Sequence, residues 1–210
     1  MFVQPHPDFC GRNRSVHVMS KRSVKESRLS YGESVPNGTV TGTIGRNEMD
    51  THADTCCAGA NWRLLDFTNE VCKVTPFLES YEPVKEVMVA RCGMVWTSPN
   101  TGCEYLLVGD QMLWFGSQMD HSLINPNQIR EYGIPVLNNP FSQSQFGIDC
   151  SDDFIPFNTT GTIVYFESRV PTDWETRNLP IIMLTGEDWD PVNVGFGNRH
   201  SREQAEMQTI

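Results

Sequence analysis

The stretch that decides the fold reads NEMDTHADTCCAGANW and spans residues 47–62. Asp50 is followed by a hydroxyl residue, Thr51. A second carboxylate, Asp54, lies four positions after Asp50. Two carboxylates that share one proton can activate water, because one accepts a proton while the other donates one. We therefore predict that the stretch from Asp50 to Asp54 is the chemical centre of the chain.

The five residues from Asp50 to Asp54 resemble the D-T-G-A-D box of the retropepsins, a family of dimeric aspartic proteases. The resemblance implies that Asp50 is the catalytic carboxylate and that Thr51 braces the two loops across the dimer. It also implies that Ala53 packs near the bound peptide and that Asp54 contacts the substrate backbone. A retropepsin lobe supplies one catalytic Asp, so its active site forms at a two-fold axis and requires a homodimer.

His52 stands where the retropepsin box has Gly. A side chain there takes up room where the backbone approaches substrate and partner. An imidazole can also hydrogen-bond a carboxylate and shift the pH optimum. The box closely resembles the D-S/T-H-A-D-T-C form of one branch of copia-type retrotransposon proteases, and this resemblance places His52 among the substrate-binding residues.

The downstream chain extends the same resemblance over about residues 48–137. Copia-type protease regions follow their box with a hydrophobic hairpin, a short apolar phrase and a final strand after a Gly; here residues 111–116, 122–129 and 133–136 correspond in order and character. The resemblance implies that Leu123-Ile124-Asn125 is the second hydrophobic element, which packs across the catalytic loop. Leu123, Ile124 and Asn125 are accordingly predicted to bind substrate, with Asn125 in place of the usual Gly.

A retropepsin also has a flap, a β-hairpin that closes over the peptide. Our preferred candidate is Val71–Met94. Its predicted tip consists of Glu79, Ser80, Tyr81 and Glu82, followed by Pro83. The alternative tip is Ser98–Gly102, which has better turn chemistry but lies further along the chain than the family order suggests.

Short β-type runs separated by turn residues predict an all-β fold. With the resemblance, we expect a retropepsin-like single lobe with one short helix, plus a C-terminal β extension. The helix is expected at Asn127–Tyr132, capped by Asn125 or Asn127 and ended by Gly133. A turn is expected at Gly109-Asp110.

Composition suggests four segments. We expect a disordered basic linker over 1–45, the lobe over 46–140, a β-rich extension over 141–196 and a disordered tail over 197–210. Residues 1–46 carry 7 Lys and Arg against 3 Asp and Glu, whereas the remainder carries 9 against 23. The acidic body argues against nucleic-acid binding, which depends on neutralising phosphates.

The chain contains neither a signal-peptide pattern nor an apolar run long enough to span a membrane. Its seven cysteines are odd in number and form no C-x-x-C pair. Free thiols in a cytoplasmic protein are the simplest interpretation. No cofactor is expected.

Three other interpretations remain open. Asp50 and Asp54 can be ordinary turn carboxylates. The chain can also be a non-catalytic or decayed protease-fold module for assembly or partner binding, an alternative favoured by His52, by Asn125 and by a flap tip without Gly. A zinc site using His52 and Cys56 is the weakest, because zinc needs three or four ligands and buried small residues explain Cys56 better.

Overall fold

A computed structural model describes residues 14–15, 44–75, 84–142 and 145–194. The strands are β1 (Arg14–Ser15), β2 (Ile44–Met49), β3 (Cys57–Gly59), β4 (Arg63–Thr75), β5 (Val84–Thr97), β6 (Glu104–Gly116), β7 (Ser122–Ile124), β8 (Val136–Leu137), β9 (Gly147–Asp149), β10 (Phe154–Pro156), β11 (Asn158–Thr160), β12 (Ile163–Arg169) and β13 (Ile181–Thr185). The helices are α1 (Pro126–Glu131) and α2 (Glu175–Asn178). The prediction of an all-β fold is therefore confirmed.

Most strands belong to one sheet, in the order β1-β4-β5-β12-β2-β7-β3-β6-β13, with β11 beside β12. Because β5 also pairs with β6, six of these strands form a closed ring. Strands β8, β9 and β10 form a second, three-stranded sheet. Strands from both sides of residue 140 share the large sheet, since β12 pairs with β2 and β13 pairs with β6.

The position of β7 determines the geometry around Asp50. This strand lies between β2 and β3, parallel to β2 with Met49 opposite Ile124, and antiparallel to β3 with Cys57 opposite Leu123. Neighbouring strands lie about 4.8 Å apart, so β2 and β3 are separated by about twice that distance. Residues 50–56, which connect them, must therefore pass over the end of β7.

The turn predicted at Gly109-Asp110 is wrong, because both residues lie inside the continuous strand β6. Met112 pairs with Ala90 of β5 and Gly109 pairs with Cys92. Over this interval β6 therefore has one more residue than β5. Gln111 has a φ of 54°, so the chain forms a bulge and continues in the same direction. The turn chemistry at Ser98–Gly102 does reverse the chain, with Gly102 at a φ of 73°.

Helix α1 confirms the predicted helix with a shift of one residue. The side chain of Asn125 accepts a hydrogen bond from the Asn127 N–H and caps the helix start, and Gly133 follows its end with a φ of 100°. Helix α2 was not predicted, because four residues are too few to show a helical pattern.

Two apolar clusters lie inside the sheet. The larger contains the buried residues Trp62 and Trp96. The smaller joins the buried face of the β4–β5 hairpin to the loop after β2; its members are Ala53, Cys57, Cys72, Val74, Val87, Val89, Leu113 and Leu123. No helix among the described residues is long and apolar enough to cross a membrane.

A buried polar network connects the strand that precedes Asp50 to the C-terminal part of the chain. The Asn47 side-chain oxygen accepts hydrogen bonds from Trp62 Nε1 (2.8 Å) and Asn61 Nδ2 (2.9 Å). Asn47 Nδ2 donates to Ser168 Oγ on β12 (2.9 Å). Ser122 of β7 joins the network by donating to Asn61 Oδ1 (2.6 Å). The network therefore links β2, β7 and β12.

We expect Asn47→Ala to lower the free energy of unfolding by about 2–4 kcal/mol, because several buried polar groups lose their partner at once. Urea unfolding followed by tryptophan fluorescence measures this. Asn158→Ala, at an exposed position of β11, is the matched control and should change stability by less than about 0.5 kcal/mol. Equal losses in the two variants would contradict the role of the network.

Candidate functional site

The half-buried carboxylate Asp50 sits at the start of the loop that connects β2 to β3. Its backbone N–H donates to the Ile124 carbonyl (2.9 Å), so the pairing between β2 and β7 extends one residue into the loop. The His52 N–H donates to Asp50 Oδ1 (2.8 Å). This local turn fixes the orientation of the carboxylate within a single chain.

The next side chains differ in their exposure to solvent. Thr51 and His52 are exposed, whereas Ala53 is buried in the smaller apolar cluster. Asp54 is half-buried. The loop is therefore anchored by Ala53 and presents Thr51 and His52 outward, beside Asp50.

The end of the loop is held by backbone and side-chain hydrogen bonds. Leu113 N–H donates to the Cys56 carbonyl (2.8 Å), and Cys56 N–H donates to Gln128 Oε1 (2.8 Å). The Asn125 N–H contacts Cys56 Sγ at 3.2 Å. Burial raises the pKa of the Cys56 thiol to about 12, so the thiol is neutral at physiological pH. Cys56 is a buried small residue, as predicted, and Cys57 beside it is buried as well.

Leu123, Ile124 and Asn125 lie directly beneath the loop. Ile124 packs in the larger apolar cluster and Leu123 in the smaller one, beside Ala53. Asn125 is buried and caps α1. Within one chain these residues support the loop, and peptide contact by them stays a prediction.

The two positions where the retropepsin pattern has Gly do not need the conformational freedom of Gly here. Among the described residues, Asn69, Glu86 and Gln111 are the non-glycine residues with positive φ, so His52 is not strained. Asn125 is extended, with a φ of −78°. The consequence of the His52 side chain therefore lies outside the single chain, where a partner or a peptide would approach.

The preferred flap tip, Glu79, Ser80, Tyr81 and Glu82, lies outside the described residues. The arms of its hairpin are β4 and β5, which pair as far as Val74 and Val84. Their buried side chains pack with Ala53 of the loop.

The alternative tip, Ser98–Gly102, connects β5 to β6 at a different place. Near this turn, Val95 pairs with Arg169, which in turn pairs with Ile44. Ile44 begins β2, whereas Asp50 follows its end, and a six-residue strand is about 20 Å long. The described arms of the first candidate, in contrast, share an apolar cluster with Ala53, and the position of the flap stays a prediction.

No group of three or more His, Cys, Asp or Glu side chains in the described part of the chain is placed to hold a metal ion. The two residues considered for zinc also differ in surroundings, since His52 is exposed and Cys56 is buried. A thiol whose pKa is raised by burial is a poor ligand, because metals bind the thiolate.

Two residues that contact the loop were missed from the sequence. Gln128 of α1 accepts a hydrogen bond from Cys56, and Trp189 Nε1 donates to Thr55 Oγ1 (3.2 Å). Trp189 lies 134 positions from Thr55 in sequence, and no local pattern links them. Gln128 was predicted only as part of a helix.

Comparison of the chain with protein-family models, curated proteins and solved structures found no match.

We expect N-ethylmaleimide to label Cys103, which is exposed, much faster than Cys56 at pH 8. Burial blocks access to Cys56, and its raised pKa lowers the thiolate fraction about a thousandfold. Peptide mapping by mass spectrometry measures both rates, and unfolding in urea should equalise them. Equal rates in the native protein would mean that the loop end is not packed as described.

Proposed function

We propose that the chain is a retropepsin-like aspartic endopeptidase of the copia-type retrotransposon kind, which acts as a homodimer on a Gag-Pol-like polyprotein. The observation that carries the proposal is the position of Asp50 in the loop that passes over the end of β7. The sequence resemblance leads one to expect this arrangement, with residues 123–125 beneath the loop and a helix directly after them.

The helix supports the proposal through its place in the chain. Strand β7 ends at Ile124, Asn125 caps the following turn, and α1 begins at Pro126. Asn125 thus directly follows the strand that supports the loop and also caps the start of the helix. An Asn performs both roles here without a positive φ, which accounts for the absence of Gly.

The chemistry requires a second copy of the chain. Asp50 of each chain would face the other across a two-fold axis, and the two carboxylates would share one proton. The charged carboxylate would then take a proton from water while the other donates to the peptide carbonyl. Exposure of Thr51 and His52 leaves this side of the loop available for a partner chain.

The substrate in this proposal is an extended peptide held between the loop and the β4–β5 hairpin. The hairpin arms already pack against Ala53, so a short extension of the same hairpin would cover a peptide beside Asp50. An extended peptide offers backbone donors and acceptors to neighbouring strands, which is a common mode of peptide recognition.

The alternative function is a non-catalytic protease-fold module for assembly or partner binding. The observation that favours it is the exposed imidazole of His52, two residues from Asp50. In the dimer it would occupy space where the two loops meet, and it would keep the two Asp50 carboxylates apart if it packed between them. The same dimer could then serve assembly alone.

Asp50→Asn should abolish self-cleavage of an extended precursor, because an amide cannot take a proton from water. Gel analysis of precursor and products over time measures this, at mildly acidic pH and with a statine-type inhibitor as a second test. Asp66→Asn removes an exposed carboxylate from β4 and is the matched control, which should cleave like wild type. Equal cleavage by the Asp50→Asn and wild-type proteins would refute the protease proposal.

His52→Gly separates the two functions. Since His52 is exposed and unstrained, we expect the change to lower the free energy of unfolding by no more than about 1 kcal/mol. If the protein is a protease, the wild-type protein should already cleave and His52→Gly should keep Asp50-dependent cleavage. If it is a blocked module, His52→Gly should gain Asp50-dependent cleavage that the wild-type protein lacks.

A further inference from the structure

The loop that carries Asp50 is held from beneath by two side chains outside the Asp50–Asp54 box. We propose that Gln128 and Trp189 are positioning residues for this loop, so that the C-terminal segment 145–194 takes part in the proposed reaction. The inference rests on the proposed function and adds to it a requirement that the retropepsin-like box does not contain.

Gln128 acts as a bridge between the loop and strand β6. Its side chain is 1% exposed. Its oxygen accepts the Cys56 N–H, while its nitrogen donates to the carbonyls of Asp110 (3.1 Å) and Gln111 (3.3 Å). A primary amide offers an acceptor and two donors, and all three functions are used here. The bulge at Asp110 and Gln111 thus sets where the loop ends.

Trp189 brings a distant part of the chain to the same loop. It is 5% exposed, and the N–H of its indole ring donates to the hydroxyl of Thr55, which is fully buried. Thr55 directly follows Asp54. The bond therefore fixes the loop one residue after the carboxylate that the resemblance assigns to substrate binding.

The surroundings explain why these two hydrogen bonds matter. Gln128 and Trp189 line one cleft of about 570 Å³, beside Asp110. The end of the loop is therefore held by two polar contacts beside a cleft, whereas Ala53 anchors its middle in an apolar cluster. Small displacements of catalytic groups strongly reduce rates, so loss of either contact should affect the reaction more than the fold.

The main test is Trp189→Phe, which keeps an aromatic ring and removes the N–H. We expect amide hydrogen exchange in residues 50–57 to rise about fivefold to tenfold, as for loss of one hydrogen bond. In the dimeric protein, kcat for a peptide substrate should fall about tenfold while KM changes less than about twofold. Trp96→Phe, at an equally buried tryptophan in the larger apolar cluster, is the control and should alter neither the exchange nor kcat.

Two further variants show whether the contacts themselves are responsible. Thr55→Val removes the other side of the same bond, so combining it with Trp189→Phe should add nothing to the effect of either alone. Gln128→Met keeps the length of the side chain and should raise exchange at the Cys56 amide. If Trp189→Phe fails to fold, Thr55→Val alone gives the comparison with Trp96→Phe.

The outcomes separate this inference from the proposed function. Unchanged exchange in Trp189→Phe and Gln128→Met would overturn the positioning role. Raised exchange with unchanged kcat would limit both residues to a structural role and overturn their part in the reaction. Absence of Asp50-dependent cleavage in the wild-type dimer would overturn the protease proposal, and with it the part of Gln128 and Trp189 in a reaction, whatever the exchange data show.

Discussion

The insertion of β7 between β2 and β3 is the constraint on which the rest of the site depends. Two strands that are consecutive in the chain are kept apart by a third, so their connection has to pass over its end. The hydrogen bond from Asp50 N–H to the Ile124 carbonyl begins this crossing, and the bond from Leu113 N–H to the Cys56 carbonyl ends it. The carboxylate is thereby presented at a sheet end, although the loop contains no Gly to ease the turn.

The same constraint explains why residues after 140 belong to the sheet. With β7 on one side of β2, the other side needs a partner, and β12 fills that place over five residue pairs. Ser168 of β12 also joins the Asn47 network, which would otherwise leave buried polar groups unsatisfied. A chain cut after the predicted lobe would expose one edge of the strand that leads to Asp50.

Local chemistry made part of this structure predictable. Asn125 and Gly133 marked the ends of α1, and the turn residues at Ser98–Gly102 marked the connection from β5 to β6, because caps and turns depend on neighbouring residues. Gly109-Asp110 misled the same reasoning, since a bulge and a turn use similar residues. Only the pairing with β5 decides between them.

Long-range contacts were beyond the sequence. The bond between Asn47 and Ser168 spans 121 positions, and that between Thr55 and Trp189 spans 134. The identity of one residue in such a pair does not predict the position of its partner. Gln128 and Trp189 could therefore not be assigned to the site from the sequence. The residues from Asp50 to Asp54 could be selected from the sequence because the resemblance to a retropepsin box lies in their order, whereas the residues that support them are determined by topology.

In the proposed protease each chain supplies one Asp50 to a shared site, and mixing of subunits tests this most directly. Wild-type and Asp50→Asn chains would be unfolded together, refolded at set ratios and assayed for peptide cleavage at constant total protein. If only dimers with two Asp50 carboxylates are active, an equal mixture should retain about one quarter of the wild-type activity, because about one quarter of randomly formed dimers contain two wild-type chains. Retention of about one half would show that each chain acts alone and would contradict the account.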